Sequence, residues 1–499
     1  MAQSRWLFWH RRDLRISDNL GLSAARARTH AITGVFIFDE TIFPRDSVKS
    51  LIAPAQNWFL TKSLEELKNK WTDIGSELII LHGNPIKLIP HLAELINAEV
   101  VAWNRDIEPQ VRSQDQEISR KLHKQSIKVF SDWDQLLIKP NELRNINGEP
   151  YKVYGGFWRN WEKQVGQKLS TKSGLNGGLK PINPPLELLG LNQEERNKLK
   201  EILDPKYMDN PLLKLQEIAQ QNIFTGIEQC PCKPGETAGL EQLKTFINSK
   251  RIFSYSIDRD IPSINGSSKI SAALRFGTIS PRQAWEASEQ ALSITEKQNE
   301  IESVITWQKE LCWREFYQNA LFNYPQIAKG PYRKKWENFP WINNKVWLSA
   351  WERGETGIPI IDASIRELVN TGWMHNRCRM IVASFLVKDL ICHWQYGEKF
   401  FIDNLVDGDL AANNGGWQWS ASSGLDTKPL RIFNPFTQAK KFDKSAQYIK
   451  KWLPELSHIS PEDLIKGTIP ALERKSYPEP IISHQIQQAK FKMLYKKIC

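Results

Sequence analysis

Three stretches of the chain hold residues whose types and spacing could do chemistry. Residues 371–380 (TGWMHNRCRM) and 407–424 (DGDLAANNGGWQWSASSG) are dense in Asn, Arg, Asp and Trp and poor in nucleophiles. Asp407 and Asp409 lie two residues apart, Arg379 could neutralise one of them, and Asn413 and Asn414 add amides. That set suits the rim of a polar heteroaromatic ring better than a hydrolytic acid and base pair. A helix-capping loop with a structural Arg–Asp bridge is the competing reading. Upstream, GSSKIS (266–271) immediately precedes the run AALRF. Backbone N–H groups and three hydroxyls, on Ser267, Ser268 and Ser271, would converge there at a helix N-terminus, which outlines an anion site or else a plain cap. Other chemistries lack their signatures. There is no G-x-G-x-x-G after the first strand, no Gly-Lys dipeptide for a Walker A loop, no H-E-x-x-H and no G-x-S-x-G. Cys230-Pro-Cys232 has no second pair at zinc spacing and reads as a loop with incidental thiols rather than a metal site.

These residues must be positioned by a large scaffold. A chain of 499 residues exceeds one hydrophobic core and implies two or three domains. Between Arg5 and Trp133, short apolar runs alternate with helical stretches: WLFWH, TGVFIFD, SELIILHG, AEVVAWN and SIKVFSD. The runs are continuous, as in parallel strands buried on both faces, and Asn57 to Thr72 keeps a helical period. This predicts a doubly wound parallel-sheet α/β domain over 1–134. Residues 135–207 turn to Pro, Asn, Gly and Lys, most clearly in LNGGLKPINPP (175–185), and read as an interdomain linker. Residues 208–499 read as an all-α domain, with Ser364 taken as the cap of a helix opening at IRELVNTGW.

Composition narrows the class further. The 67 Lys and Arg exceed the 56 Asp and Glu, giving a net charge of +11 that favours a polyanionic partner. Six scattered cysteines fit a reducing compartment, so the cytoplasm is expected. Charges within Met1–Arg15 leave no apolar stretch for an export signal, and no run of 18 apolar residues predicts a membrane span. Ten of the twenty tryptophans fall between Trp307 and Trp419, a clustering that asks for a cause.

FWHRRDLRISDN (8–19), WQKELCWREFY (307–317), TGWMHNRCRM and DGDLAANNGGWQW (407–419) together resemble the photolyase and cryptochrome flavoproteins, over nearly the whole chain. Within that family the chain is most similar to the class I cyclobutane pyrimidine dimer photolyases with a deazaflavin antenna. The resemblance implies FAD held in the helical domain, an antenna pigment in the α/β domain, and light-driven repair of DNA.

Residue by residue, the resemblance places Tyr255 and Ser267, Ser268, Lys269, Ile270 and Ser271 at the FAD phosphates, with Ser267 where Thr is more usual. It places Arg379 and Asp409 as the pair facing the flavin ring, with Asp407 and Gly408 beside them and Asn413 at the ring's N5. An amide there tolerates an anionic reduced flavin, whereas plant-type cryptochromes carry Asp. Trp417, Trp394 and Trp341 match the electron-transfer chain from flavin to surface, giving the tryptophan cluster a cause. Trp313 and Trp419 match the wall of a pocket for a dimer turned out of the DNA stack. Glu310 and Asn376 match contacts to its bases, and Met380 the apolar filler beside it. The Asn376 and Met380 pattern sets the chain apart from (6-4) photolyases, which place His residues in this stretch. Arg259, Arg314, Arg377 and Gln438 resemble residues on the DNA-facing side. WNRDIEP (103–109) makes Asp106 and Glu108 candidate antenna ligands, with Arg275 where deazaflavin types carry Lys. The antenna implied is 8-hydroxy-5-deazaflavin, with methenyltetrahydrofolate or FMN as alternatives.

The expected protein is thus a cytoplasmic, monomeric flavoenzyme whose partner is DNA containing pyrimidine dimers, with no membrane and no obligate protein partner. A cryptochrome photoreceptor reading carries the expectation of a C-terminal extension beyond the photolyase core, and a nucleic-acid binding module that keeps flavin only structurally is the less economical reading given Glu310, Asn376 and Met380.

Overall fold

The computed structural model describes residues 4–43, 52–169, 178–202, 226, 228–426 and 430–498. All five expected strands form: β1 (Trp6–His10), β2 (Ile32–Asp39), β3 (Leu78–Gly83), β4 (Val100–Asn104) and β5 (Lys128–Asp132). They make one parallel sheet in the order β3-β2-β1-β4-β5, with Trp9 opposite Val35 on one side and Trp103 on the other. Every residue of β1 is buried, which is why its run is apolar without alternation. The crossover helices start where Pro54, Pro85 and Pro109 fix the backbone of the first turn, and Asn19 and Asn84 cap two helices through their side chains.

Strand order reverses between β1 and β4, so the crevice beyond their carboxyl ends is the topological switch point where open α/β sheets bind ligands. Arg11 and Arg12 leave β1 there, and Asp106 and Glu108 leave β4.

Residues expected to form a linker carry structure of their own. They include the helices Tyr154–Leu169 and Gln193–Ile202. Leu179, Leu188 and Leu191 are buried, and the Ile182 and Leu188 N–H groups donate to Asp18 Oδ1 (2.9 Å) and the Ile74 carbonyl (2.7 Å). The start of the LNGGLKPINPP stretch and the 207/208 boundary fall outside the described residues.

Beyond Gly235 the chain is helical. Its two main cores meet around the Gln298–Asn323 and Leu410–Ala421 helices. One boundary differs from expectation. The helix containing Ser364 begins at Pro359, and Ser364 is a buried interior residue whose hydroxyl donates to the Ile360 carbonyl (2.6 Å). Pro359 sets the start because its missing N–H is not needed in the first turn. Cys230 and Cys232 are free and buried.

Candidate active site

A cavity of about 510 Å³ opens in the helical half, lined by parts of six helices and the loop 405–409. One end carries Tyr255, Ser268, Ile270 and Ser271. Ser271 begins the short Ser271–Phe276 helix, as the serine-rich motif implied, and Trp307 Nε1 donates to Ser268 Oγ (3.3 Å). Ser267 and Lys269 share this loop but do not line the cavity. Lys269, at φ 56°, lays its ammonium 5.5 Å over the Trp373 ring, where burial lowers its pKa.

The other end is built by the helices Asn376–Ser384 and Leu410–Ala421 and the loop between Leu405 and Asp409. Here one expectation is corrected. Arg379 Nη2 bonds Asp407 Oδ2 at 3.0 Å, and its Nε donates to the Met374 carbonyl. Asp409 is not its partner. Asp409 instead accepts from Arg12, which comes from the end of β1, and lies 3.8 Å from Arg275. The two carboxylates are two residues apart, and Asp409 begins a helix as its N-cap, accepting from the Ala412 N–H at 3.0 Å, so their side chains diverge. Burial alone would raise the Asp409 carboxyl, yet Arg12 and Arg275 hold it down to about 2.

Asp407 Oδ1 is buried and has no hydrogen-bond partner among the described residues. A buried carboxylate oxygen without a donor is a place for a ligand N–H. Asn413 donates its amide to the Glu398 carbonyl (2.8 Å), and its own Oδ1 accepts no hydrogen bond among the described residues. The fixed amide leaves an acceptor at the cavity wall. Hydroxyls, an Arg–Asp pair with a free acceptor, and apolar Leu274, Leu311 and Phe401 in one lining fit a long molecule with an anionic end and a polar ring.

Glu310, Trp313, Asn376, Met380 and Trp419 line the same cavity. Asn376 and Met380 are one helical turn apart and share a face of their helix. Glu310 is bonded to Arg259 at 2.6 Å, and burial, opposed by that arginine, raises its pKa. His375 caps this helix through Nδ1, which accepts from the Arg377 N–H at 3.2 Å, and burial lowers it to about 4. It is therefore neutral at pH 7 and serves as a cap.

The expected DNA-side residues divide. Arg259 lines the cavity mouth. Arg377 pairs with Asp260 (2.7 Å) and stacks 4.2 Å over Phe442, at the end of the Pro435–Phe442 helix that carries Gln438. Arg314 is a second correction. It turns inward, donating to the backbone carbonyls of Gln135 (2.7 Å) and Leu274 (3.3 Å), so its guanidinium ties the linker to the cavity wall.

Trp417 lines the cavity, Trp394 is fully buried, and Trp341 is partly exposed, a gradation from inside to outside. The His393 ring stands between the outer two, 5.8 Å from Trp394 and 5.2 Å from Trp341. Gly397 is required for this packing, since a Cβ there would stand 2.1 Å from the Trp417 ring.

The three antenna candidates also come together. Arg12 bonds Glu108 (2.5 Å) and Asp106 (3.3 Å), and Arg275 donates to the Gly408 carbonyl (2.8 Å), so both domains meet at the switch point. Burial raises the Asp106 carboxyl, but Arg12 and Arg11 reverse this and lower it; Glu108, with fewer cations nearby, stays raised by burial. Sequence reasoning missed Arg12, Trp307 and Gln56, whose Nε2 donates to the Leu405 carbonyl at 2.9 Å. Arg12 stands in the FWHRRDLRISDN motif but 397 residues from Asp409, so only the fold pairs them.

Comparison with known proteins bears on this arrangement. Residues 6–173 match the DNA photolyase family and residues 307–497 the FAD binding domain of DNA photolyase. A deoxyribodipyrimidine photo-lyase of Synechococcus sp. is 46% identical over 492 residues, 99% of this chain and 96% of that protein. The chain belongs to the DNA photolyase family. The Escherichia coli deoxyribodipyrimidine photo-lyase is 33% identical, with 96% of each chain covered. Among solved structures, a bacterial class III photolyase from Agrobacterium tumefaciens superposes with a TM-score of 0.82 at 32% identity, covering 100% of this chain and 98% of that one. The cryptochrome of Synechocystis sp. superposes with 0.83 at 26% identity, covering 99% and 100%. The α/β domain followed by a helical domain is thus the photolyase fold, and the helical domain is an FAD-binding one. No helix among the described residues is long and apolar enough to cross a membrane.

Proposed function

We propose that the 510 Å³ cavity holds FAD with a pyrimidine dimer, turned out of DNA, against its mouth, and that the chain is a photolyase splitting cyclobutane dimers in light. One observation carries this reading. Glu310, Trp313, Asn376, Met380 and Trp419 converge on the same cavity as Arg379, Asp407 and Asn413, so the two joined bases of the lesion and a flavin ring would be neighbours. When bound, FAD supplies the light-absorbing one-electron donor. The protein supplies geometry and a dry pocket.

Ser268, Ser271 and the backbone at the start of the Ser271–Phe276 helix bind the phosphates, while Arg379, Asp407 and Asn413 orient the ring. Trp313 and Trp419 wall the lesion, Met380 fills beside it, and Glu310 and Asn376 bond its bases. Arg259 is held by Glu310 in the free protein, so a DNA phosphate that draws Arg259 away frees the Glu310 carboxyl for the lesion. His375, neutral and held as a helix cap, has no proton to give the lesion, which suits dimer splitting. Trp417, Trp394 and Trp341 are the oxidisable rings that connect the cavity to the surface. Arg377 and Gln438 contact the DNA backbone.

The finer assignment is a class I photolyase carrying 8-hydroxy-5-deazaflavin at the switch point between β1 and β4. Clustering of Arg12, Asp106, Glu108 and Arg275 supports an antenna there. It acts as a cytoplasmic monomer on chromosomal DNA. Repair of an oligonucleotide with one thymine dimer by the reduced, FAD-loaded protein tests the function. Repair in blue light and none in the dark is expected, and an absence of light-driven repair with FAD bound would sink it.

A further inference from the structure

The proposed lesion wall has a backing that no catalytic motif contains. Trp313 is only partly buried and lines the cavity. One face of its indole is covered by the Tyr154 ring, with centroids 3.5 Å apart and planes within 2°. Contact at that distance with almost parallel planes covers the ring rather than grazing its edge.

Tyr154 is itself fixed from two further directions. Its hydroxyl donates to the Lys309 carbonyl (3.0 Å), on the helix that carries Trp313, and its ring meets the edge of Phe316 (5.8 Å, 85°). Phe316 in turn packs on Trp313 (5.6 Å) and on Phe157 (5.3 Å), one turn along the helix that Tyr154 begins. A surface indole has free χ1 and χ2 torsions, and holding it flat against a ligand costs entropy at the moment of binding. A partner ring stacked on the far face meets that cost during folding, leaving the other face set.

We propose that Tyr154 is a positioning residue for lesion recognition: it stacks behind Trp313 and holds that indole in the plane a flipped dimer packs against. The inference rests on the reading of Trp313 as lesion wall. It assigns part of the substrate specificity to the segment between the two domains, which the sequence marks only as linker.

The test compares affinity for an oligonucleotide with one thymine dimer and for the same oligonucleotide undamaged, using FAD-loaded wild type, Tyr154→Phe, Tyr154→Leu, Trp313→Ala and the Tyr154→Leu/Trp313→Ala double variant. Phe keeps the flat ring without the hydroxyl, and Leu keeps apolar bulk in the core but cannot stack. Tyr154→Leu is expected to reduce discrimination between the two oligonucleotides about three- to tenfold. Tyr154→Phe should stay within about twofold of wild type. The double variant should discriminate no worse than Trp313→Ala, because Tyr154 acts through that ring. Flavin photoreduction and bound FAD should be unchanged in Tyr154→Leu, which a general loss of structure would not allow. Undiminished discrimination in Tyr154→Leu overturns the inference while leaving the wall intact, provided Trp313→Ala loses discrimination. If Trp313→Ala discriminates like wild type, the wall reading falls and the inference with it. Tighter dimer binding by Tyr154→Leu would also overturn it, since Tyr154 would then be a plug that the lesion displaces. Should Leu fail to fold, Tyr154→Met supplies the same comparison.

Discussion

Exchanging Asp407 and Asp409 for Asn should give two different defects, although they are two residues apart. Asp407 balances Arg379 and leaves one buried oxygen for a ligand, so Asp407→Asn should weaken FAD retention roughly tenfold or more, read by flavin released on dilution. Asp409 pairs with Arg12 across the domains, and its carboxyl is held at about 2 against an unfolded value of about 3.9. A lowered carboxyl stabilises the fold at pH above the unfolded value, and the gain disappears as pH falls towards 2. Asp409→Asn should therefore cost about 2 kcal/mol at pH 7 and nothing near pH 2, measured as unfolding free energy across that range. Trp417→Phe belongs to the same scale. It should slow photoreduction of oxidised flavin at least tenfold while pre-reduced protein still repairs dimers, and parallel loss of both would remove Trp417 from the electron path. The residues of this site were legible in the sequence as a set, because long motifs carry them. Their pairing was not. Asp407 and Asp409 look equivalent to Arg379 until the helix that starts at Asp409 turns its side chain towards Arg12.

At the scale of elements, Glu398 shows how two helices share one carboxyl. Its side chain, on the Trp394–Asn404 helix, accepts from Asn414 Nδ2 (2.8 Å), while its backbone carbonyl accepts from the Asn413 amide (2.8 Å). Burial pushes the Glu398 carboxyl up to about 7, with Asn414 opposing. A raised acid keeps its proton in the folded state, so stability falls as pH rises from the unfolded value near 4.3 to about 7, then levels. Glu398→Gln cannot titrate and should flatten that slope, seen as a melting temperature less dependent on pH between 5 and 8. Equal slopes in both proteins would remove Glu398 as its source. Strands were the most legible elements, because burial on both faces writes continuous apolar runs into short segments. Helix starts were less so: Ser364 has a capping residue's chemistry, but Pro359 five residues earlier fixes the first turn. Tyr154 was illegible, since nothing local marks a tyrosine at a helix start as the partner of an indole 159 residues away.

For the whole molecule, the decisive feature is a buried cluster of charges where three parts of the chain meet. Asp134 lies just beyond β5 and accepts from Arg15 (2.6 Å) and Arg282 (2.7 Å), while Arg282 also bonds Asp18 (3.1 Å). Arg15 further donates to the carbonyls of Asp18 (2.7 Å) and Gly277 (3.0 Å). Gly277 itself tolerates no side chain, for its φ is 65° and a Cβ would stand 2.0 Å from the Arg12 carbonyl. The cluster thus joins the loop after β1, the end of the sheet and the Pro281–Leu292 helix. Four groups each less than 4% exposed are scarcely screened by salt. Asp134→Asn leaves two buried guanidinium groups with one carboxylate, a loss of about 3–5 kcal/mol. Exposed Lys399–Asp403 is the contrast, a helix-surface pair whose removal should change stability by less than about 1 kcal/mol. Unfolding measured at low and at molar salt separates the two, because raising salt should not recover Asp134→Asn. A loss that high salt cancels would mean that water reaches the cluster, and the rigid junction that holds Arg12 against Asp409 would then need another source.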